Sequence, residues 1–204
     1  MSRLLLVRHG DTELNSRERY WGHTDVKLST AGLRQAEKLR DRLTAEKINV
    51  IYSSELQRAS VTAEIIASRH QLNVITCAEL REVNFGKMEG LTFDEVSQLY
   101  PEVTKMWVEG NPRLQYPGGE SVDEFNKRVS KFLGRLENHA TEETILIVAH
   151  NGVLRTLICY LLGIELKHRW QIRLNLASLS IVETHPQGAT LTLLNDVSHL
   201  GWEV

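Results

Sequence analysis

Two histidines in this chain sit in the same local setting, each directly after a short apolar run. Leu4-Leu5-Leu6-Val7 leads into Arg8-His9-Gly10, and Ile145-Leu146-Ile147-Val148-Ala149 leads into His150-Asn151-Gly152. A third apolar run, Val50-Ile51-Tyr52, leads through Ser53 and Ser54 to Arg58, and the turn after a fourth brings Glu82. Imidazole, guanidinium and carboxyl groups gathered at one rim suit phosphoryl transfer. Its transition state spreads negative charge over equatorial oxygens, so positioning and cationic stabilisation do most of the work. Arg8 and Arg58 offer planar forks that match phosphate oxygens, and Asn15 offers a further hydrogen bond. Backbone N–H groups near Asn151, at the start of a helix, also suit an anion. A neutral imidazole is a competent nucleophile near pH 7, and nearby cations favour that form. A buried carboxyl at Glu82 can protonate a departing alkoxide and then activate water. From spacing alone Glu79 and Glu89 are alternatives to it.

The elements that must position these groups are legible in the apolar pattern. The runs 4–7, 50–52 and 145–149 read as strands buried on both faces, with a shorter one at 72–76. Ser29 caps a helix whose apolar positions are Leu33, Ala36, Leu39 and Leu43, and a second helix covers 56–70. Thr92-Phe93-Asp94-Glu95 is a capping box for a short helix ending at Pro101, and 112–119 is a loop. Ser121-Val122-Asp123-Glu124 is a second capping box, opening a long helix with Phe125, Val129, Phe132 and Leu136 on one face. A helix over about 151–162 follows the strand at 144–149. Two late strands, 178–183 and 189–194, flank the turn His185-Pro186-Gln187-Gly188. Buried strands alternating with amphipathic helices predict an α/β three-layer sandwich: a mostly parallel central sheet, helices on both faces and an antiparallel edge from the last hairpin. In such sheets ligands bind at the carboxyl ends of strands. The whole of 1–204 is expected to be one domain, with a lid-like insertion at about 84–120.

With the residues in place, a resemblance is evident. Arg8-His9-Gly10-Asp11-Thr12-Glu13-Leu14-Asn15 resembles the signature RHG-x-T-x-x-N of the histidine phosphatase (phosphoglycerate mutase-like) superfamily. The segments 52–59, 80–90, Pro117-Gly118-Gly119-Glu120-Ser121 and Val148-Ala149-His150-Asn151-Gly152 resemble its later motifs, in the family's order. The resemblance implies that His9 is phosphorylated, that Glu82 is the proton donor, and that Arg8, Arg58, His150 and Asn15 form the phosphate pocket. It places Trp21-Gly22 in a substrate loop, with Asn151 at the mouth, and it implies neither a metal nor a cofactor. Asp11, Asn151 and Met88 depart from the commonest residues at their positions. The segment after Glu82 is shorter than in cofactor-dependent mutases. Acidic residues outnumber basic ones there, so a second phosphate is expected to find little welcome. Among near-minimal members, α-ribazole-5′-phosphate phosphatases are the favoured parallel. Phosphoserine and broad-specificity phosphatases are the alternatives, then phosphoglycerate mutase.

Each residue also has a plainer reading. His9 and His150 could be core histidines bonded to backbone, and Phe93, Trp107 and Tyr116 could be packing residues. His70, His139, His168 and His185 read as solvent-facing, and His199 belongs to a tail that could fold over the mouth. A protein that binds phosphorylated ligands without turnover is the rival from another class, against which the retained chemical residues argue. The chain lacks the HxH and HExxH spacings of metal hydrolases. Its net charge of −2, with Lys and Arg spread along the chain, argues against nucleic-acid and membrane-surface partners. The expected partner is a small phosphorylated metabolite, with a homodimer left open. No apolar run approaches membrane-spanning length. Cys77 and Cys159 lie far apart and form no CxxC, so both are expected buried and reduced, in a cytoplasmic protein.

Overall fold

The computed structural model describes residues 2–14, 19–137, 139 and 142–201. Its centre is one six-stranded sheet in the order β3-β2-β4-β1-β5-β6. The strands are β1 (Ser2–Arg8), β2 (Val50–Ser54), β3 (Val74–Cys77), β4 (Thr144–Ala149), β5 (Leu179–His185) and β6 (Gly188–Asp196). The first four pair in parallel, while β5 runs antiparallel to both β1 and β6. Among the described residues six α-helices accompany them: α1 (Thr30–Leu43), α2 (Gln57–Ala67), α3 (Phe93–Leu99), α4 (Pro101–Val108), α5 (Val122–Leu136) and α6 (Asn151–Leu162).

The strand period of two divides the core. Leu5 and Val7 of β1 join Leu146 and Val148 of β4 in packing on Leu39 and Leu43 of α1 and on Ala59, Ala63 and Ile66 of α2. Leu4, Leu6, Ile145 and Ile147 point the other way. They pack on Phe125, Val129 and Phe132 of α5 and on Val153, Leu154 and Leu157 of α6. This is the expected three-layer α/β sandwich, with the strands apolar on both faces because both are covered.

Both capping boxes form: Thr92 with Glu95 opens α3, and Ser121 with Glu124 opens α5. Several sequence expectations need correction. The short helix α3 ends before Pro101 as expected, but Pro101 then opens a further helix, α4, where its missing N–H is one that no helical carbonyl would accept. Leu33 is 41% exposed, and the buried stripe of α1 is Gly32, Ala36, Leu39 and Leu43. The third strand falls at Val74–Cys77, and the final hairpin is longer than expected, running to His185 and Asp196. Met88 is fully buried in the core and does not shape the mouth. His139 is half-buried between the Tyr52 hydroxyl (2.9 Å) and Glu143 (2.8 Å). His70, His168 and His185 are also only partly exposed. Cys77 and Cys159 are buried free thiols. Among the described residues no helix is long and apolar enough to cross a membrane.

Candidate functional site

Parallel pairing of β1 with β4 puts Arg8 opposite Ala149, so the two chains leave the sheet side by side. The His9 N–H donates to the Ala149 carbonyl (3.1 Å), and the imidazoles of His9 and His150 stand 5.1 Å apart, centre to centre. From β2, on the other side of β4, the chain enters α2 and delivers Arg58 in the first turn. Adjacent strands thus gather residues that are far apart in sequence.

The hydrogen bonds assign the tautomers. Nδ1 of His9 lies 2.7 Å from the Gly10 carbonyl, which can only accept. Nδ1 therefore carries the proton, and Nε2 keeps a free lone pair. For His150, Nδ1 accepts from Nε–H of Arg58 (3.2 Å), which puts its proton on Nε2. That Nε2 is buried and has no partner among the described residues. The two rings are neighbours, but His150 is wholly buried and lies behind the cleft lining, whereas His9 faces the cleft. Burial, with the cations of Arg58 and Arg8 next in weight, holds the His9 pKa well below the usual histidine range. Burial and then Arg58 do the same for His150. Both rings are neutral at pH 7.

Arg58 is almost wholly buried and binds more than the expected phosphate. Besides His150, it donates to the Thr24 (2.9 Å), Gly22 (2.6 Å) and Trp21 (3.4 Å) carbonyls. One of its five N–H groups is left for a ligand. Its fork grips the 21–24 loop more than it faces the cleft. Glu89 holds the same loop, accepting from the backbone N–H groups of His23 and Thr24 (2.7 Å each). Arg8 donates to the Leu174 carbonyl (2.6 Å), its Nε has no partner among the described residues, and burial pushes its pKa down to about 10.

Glu82 is 8% exposed. One carboxyl oxygen accepts the Val83 N–H and the other the Gly152 N–H, both at 3.0 Å. Each oxygen keeps a second lone pair. One N–H of the first turn of α6, that of Gly152, is thus already taken by the Glu82 carboxyl group and does not await a ligand. The close approaches of the glycines are internal. A Cβ on Gly152 would stand 2.5 Å from Glu82 Oε1, and one on Gly10 would stand 2.6 Å from the Gly32 carbonyl oxygen. The other two carboxylates are turned elsewhere. Glu79 pairs with Arg135 (2.8 Å), and Glu89 holds its loop.

Arg8, His9, Arg58, Glu82, Asn151 and Gly152 line one cleft of about 1290 Å³. Trp21 also lines it, while Gly22 lies behind it under Arg58. Asn15 falls outside the described residues. Phe85, Trp107 and Tyr116, from the segment 84–120, reach the cleft and pack against one another and Tyr20, with ring centres 4.9–5.8 Å apart. Phe93 is exposed instead. From the tail, Leu200 lines the cleft, and His199 turns away to donate to the Ala177 carbonyl (3.0 Å). Among the lining residues that escaped the sequence reading are Arg155, Arg169 and Trp170. Arg155 carried a signal, since it follows Asn151 by four residues and shares its helix face. Arg169 and Trp170 sit in a 3-10 turn with no periodicity to reveal them.

A family model described as "Histidine phosphatase superfamily (branch 1)" matches residues 4–197. The chain is 35% identical to phosphoserine phosphatase 1 of Hydrogenobacter thermophilus, over 98% of this chain and 95% of that one. It is 33% identical to the adenosylcobalamin/α-ribazole phosphatase of Escherichia coli, over 95% of each. The crystal structure of the α-ribazole phosphatase from Shigella flexneri superposes with a TM-score of 0.87 at 34% identity, over 95% of this chain and 96% of that one.

Proposed function

The chain belongs to the histidine phosphatase superfamily and is a phosphoric monoester hydrolase, and on that premise we propose that His9 carries the phosphoryl group during turnover. The observation behind this is the tautomer of His9. Nδ1 is fixed by the Gly10 carbonyl, which leaves the Nε2 lone pair free in a ring that lines the cleft and neighbours His150, whose Nε2–H is unmatched among the described residues. The ester phosphate sits among Arg8, the remaining N–H of Arg58 and His150 Nε2–H. His9 Nε2 attacks phosphorus in line as the ester P–O bond breaks, and a proton on Glu82 passes to the departing alkoxide. The Glu82 carboxylate then takes a proton from water. The resulting hydroxide displaces His9 from phosphorus, releasing inorganic phosphate. Guanidinium and imidazole groups meet the charge on the phosphate, so this scheme needs neither metal nor cofactor.

The substrate class is a small phosphorylated metabolite. Residues 1–204 act as one domain, with 84–120 as a lid carrying Phe85, Trp107 and Tyr116 over the cleft. The relatives suggest two ends of a range. α-Ribazole-5′-phosphate, favoured by chain length and the short insertion, would lay its flat base on the aromatic wall. Phosphoserine, the second reading, would meet the arginines beyond it. The defining experiment is phosphoenzyme trapping in excess chelator. Brief mixing with 32P-labelled ester should leave an acid-labile phosphate on His9, and folded His9→Ala should neither label nor turn over. Label on another residue, near-normal turnover by His9→Ala, or a strict need for added magnesium would refute the scheme.

A further inference from the structure

The basic residues of the cleft wall differ in their partners. Arg19 pairs with Glu95 (2.8 Å), Lys38 donates to the Leu200 carbonyl (2.9 Å), and Arg34 lies at the exposed rim. Arg155 and Arg169 are unlike these. Neither forms an ion pair with any described carboxylate, although Arg169 is only 8% exposed. Arg155 uses its Nε–H on the Ile172 carbonyl (2.5 Å), and Arg169 uses one N–H on the Asn126 side chain (3.2 Å). Their other N–H groups donate to no described residue, yet are not sealed from the cleft. Both guanidinium groups lie over the Trp170 ring, at 5.7 and 5.2 Å from its centre, and Arg169 also lies over Phe125. These contacts hold the two cations in place without neutralising them.

Two desolvated guanidinium groups with open donors and no directly paired carboxylate, only the nearby Glu82 within electrostatic reach, form a costly arrangement unless an anion completes it. Burial lowers the pKa of both, Glu82 partly offsets it at each, and Arg169 adds to the lowering at Arg155. The phosphate of the ester already has partners in Arg8, Arg58 and His150. It is held at His9, and Arg155 stands one helical turn farther along α6 than Asn151, about 6 Å in axial rise. We propose that Arg155 and Arg169, fixed by Trp170, form a second oxyanion subsite that selects phosphate esters carrying a carboxylate or a further phosphate. This rests on the phosphatase reading above, and within it ranks phosphoserine-like esters over α-ribazole phosphate. It also revises the expectation drawn from the acidic segment after Glu82: the basic groups come from α6 and the following turn.

The test compares matched esters. Wild type should show kcat/KM at least tenfold higher for O-phosphoserine than for O-phosphoethanolamine, which lacks the carboxylate, or for glucose 1,6-bisphosphate than for glucose 6-phosphate. Preference in the first pair assigns a carboxylate to the subsite, and preference in the second a phosphate. In Arg155→Met and Arg169→Met the preferred pair's ratio should collapse toward one, mainly through KM, with Arg169→Lys restoring part of it. A ratio within one preparation is insensitive to the fraction of enzyme that folds. Turnover of all four esters at similar kcat/KM, or a preference unchanged in both Met variants, overturns the subsite and leaves the phosphatase reading standing. Failure to hydrolyse any of the four overturns the subsite, and failure on nitrophenyl phosphate as well overturns the phosphatase reading.

Discussion

At the scale of single residues, the site is defined by which lone pairs and protons remain unmatched. His9 keeps a lone pair on Nε2, and His150 keeps a proton on Nε2, each because its Nδ1 is already engaged. Glu82 has both oxygens pinned by backbone N–H groups and lines the same cleft. Replacing it with Gln removes the transferable proton and also one acceptor, so either Val83 or Gly152 loses its partner at a cost of about 1 kcal/mol. Glu82→Gln should therefore slow alkyl phosphates on the order of a hundredfold or more, since general acid catalysis contributes that much. Nitrophenyl phosphate, whose leaving group needs no proton, should lose far less. Steady-state rates on both esters decide it. Equal losses would make Glu82 an electrostatic or structural group and leave the acid to be found elsewhere. The residue types were all legible in the sequence, but their bonding was not. Nothing in Ser53-Ser54-Glu55-Leu56-Gln57-Arg58 says that Arg58 will grip the carbonyls of 21–24, because those contacts exist only after α2 and that loop meet.

At the scale of elements, α5 does more than cover the sheet. All five N–H groups of its Arg128 are engaged. NH1 donates to the Glu79 (3.0 Å) and Arg81 (2.7 Å) carbonyls, NH2 to the Glu82 carbonyl (3.1 Å) and Glu120 (2.7 Å), and Nε to Glu120 (3.2 Å). Glu120 also accepts the Asn84 N–H (2.7 Å), so the Pro117–Ser121 motif and α5 together clamp the backbone on which Glu82 sits. Arg128 is thus a positioning residue. Arg128→Lys keeps the charge but loses most of these bonds, and should lower stability by about 2 kcal/mol. It should also reproduce the signature of Glu82→Gln, with alkyl phosphates losing more rate than nitrophenyl phosphate. A purely structural role would lower both rates alike, as would a smaller folded fraction. The strands and long helices could be read because burial on two faces or one stripe imposes a pattern on the sequence. The Arg128 clamp could not, because an arginine at a solvent-facing helical position and one turned under a loop look the same. Pro101 was half legible for a related reason: proline ends one helix and begins the next with equal ease, so the end of α3 could be expected and the start of α4 was missed.

At the scale of the whole molecule, the order β2-β4-β1 is what brings His9, His150 and Arg58 together. The chain lays β4 between two earlier strands, and only then do residues separated by more than ninety positions become neighbours. The layer architecture followed from alternation of buried strands and amphipathic helices, whereas the strand order depended on long-range pairing that local pattern does not encode. Building the site inside the sandwich has a consequence for stability. His9 and His150 are held neutral by burial and by neighbouring cations, while in the unfolded chain each titrates near 6.5. Above about pH 6.5 neither form binds the proton, and these groups favour neither state. As the pH falls below 6.5 the unfolded chain takes up protons that the folded chain refuses, and folding loses about 1.4 kcal/mol per pH unit for each such histidine. The loss continues down to the depressed folded-state values. His23, His70 and His199, also lowered by burial, add to it. Glu79 and Asp196, lowered by their partners, act only below the ordinary carboxylate range, so the interval from pH 6.5 to 5 reports mainly on imidazoles. Urea unfolding at pH 7 and pH 5 should show wild type losing markedly more stability than His9→Gln or His150→Gln, by about 2 kcal/mol for each histidine replaced. The variants are themselves controls for packing, because the quantity compared is the change with pH within each protein. Equal pH dependence in all three would mean that the folded site accepts protons as readily as the unfolded chain, and a nucleophile protonated at mildly acidic pH would then have to account for catalysis.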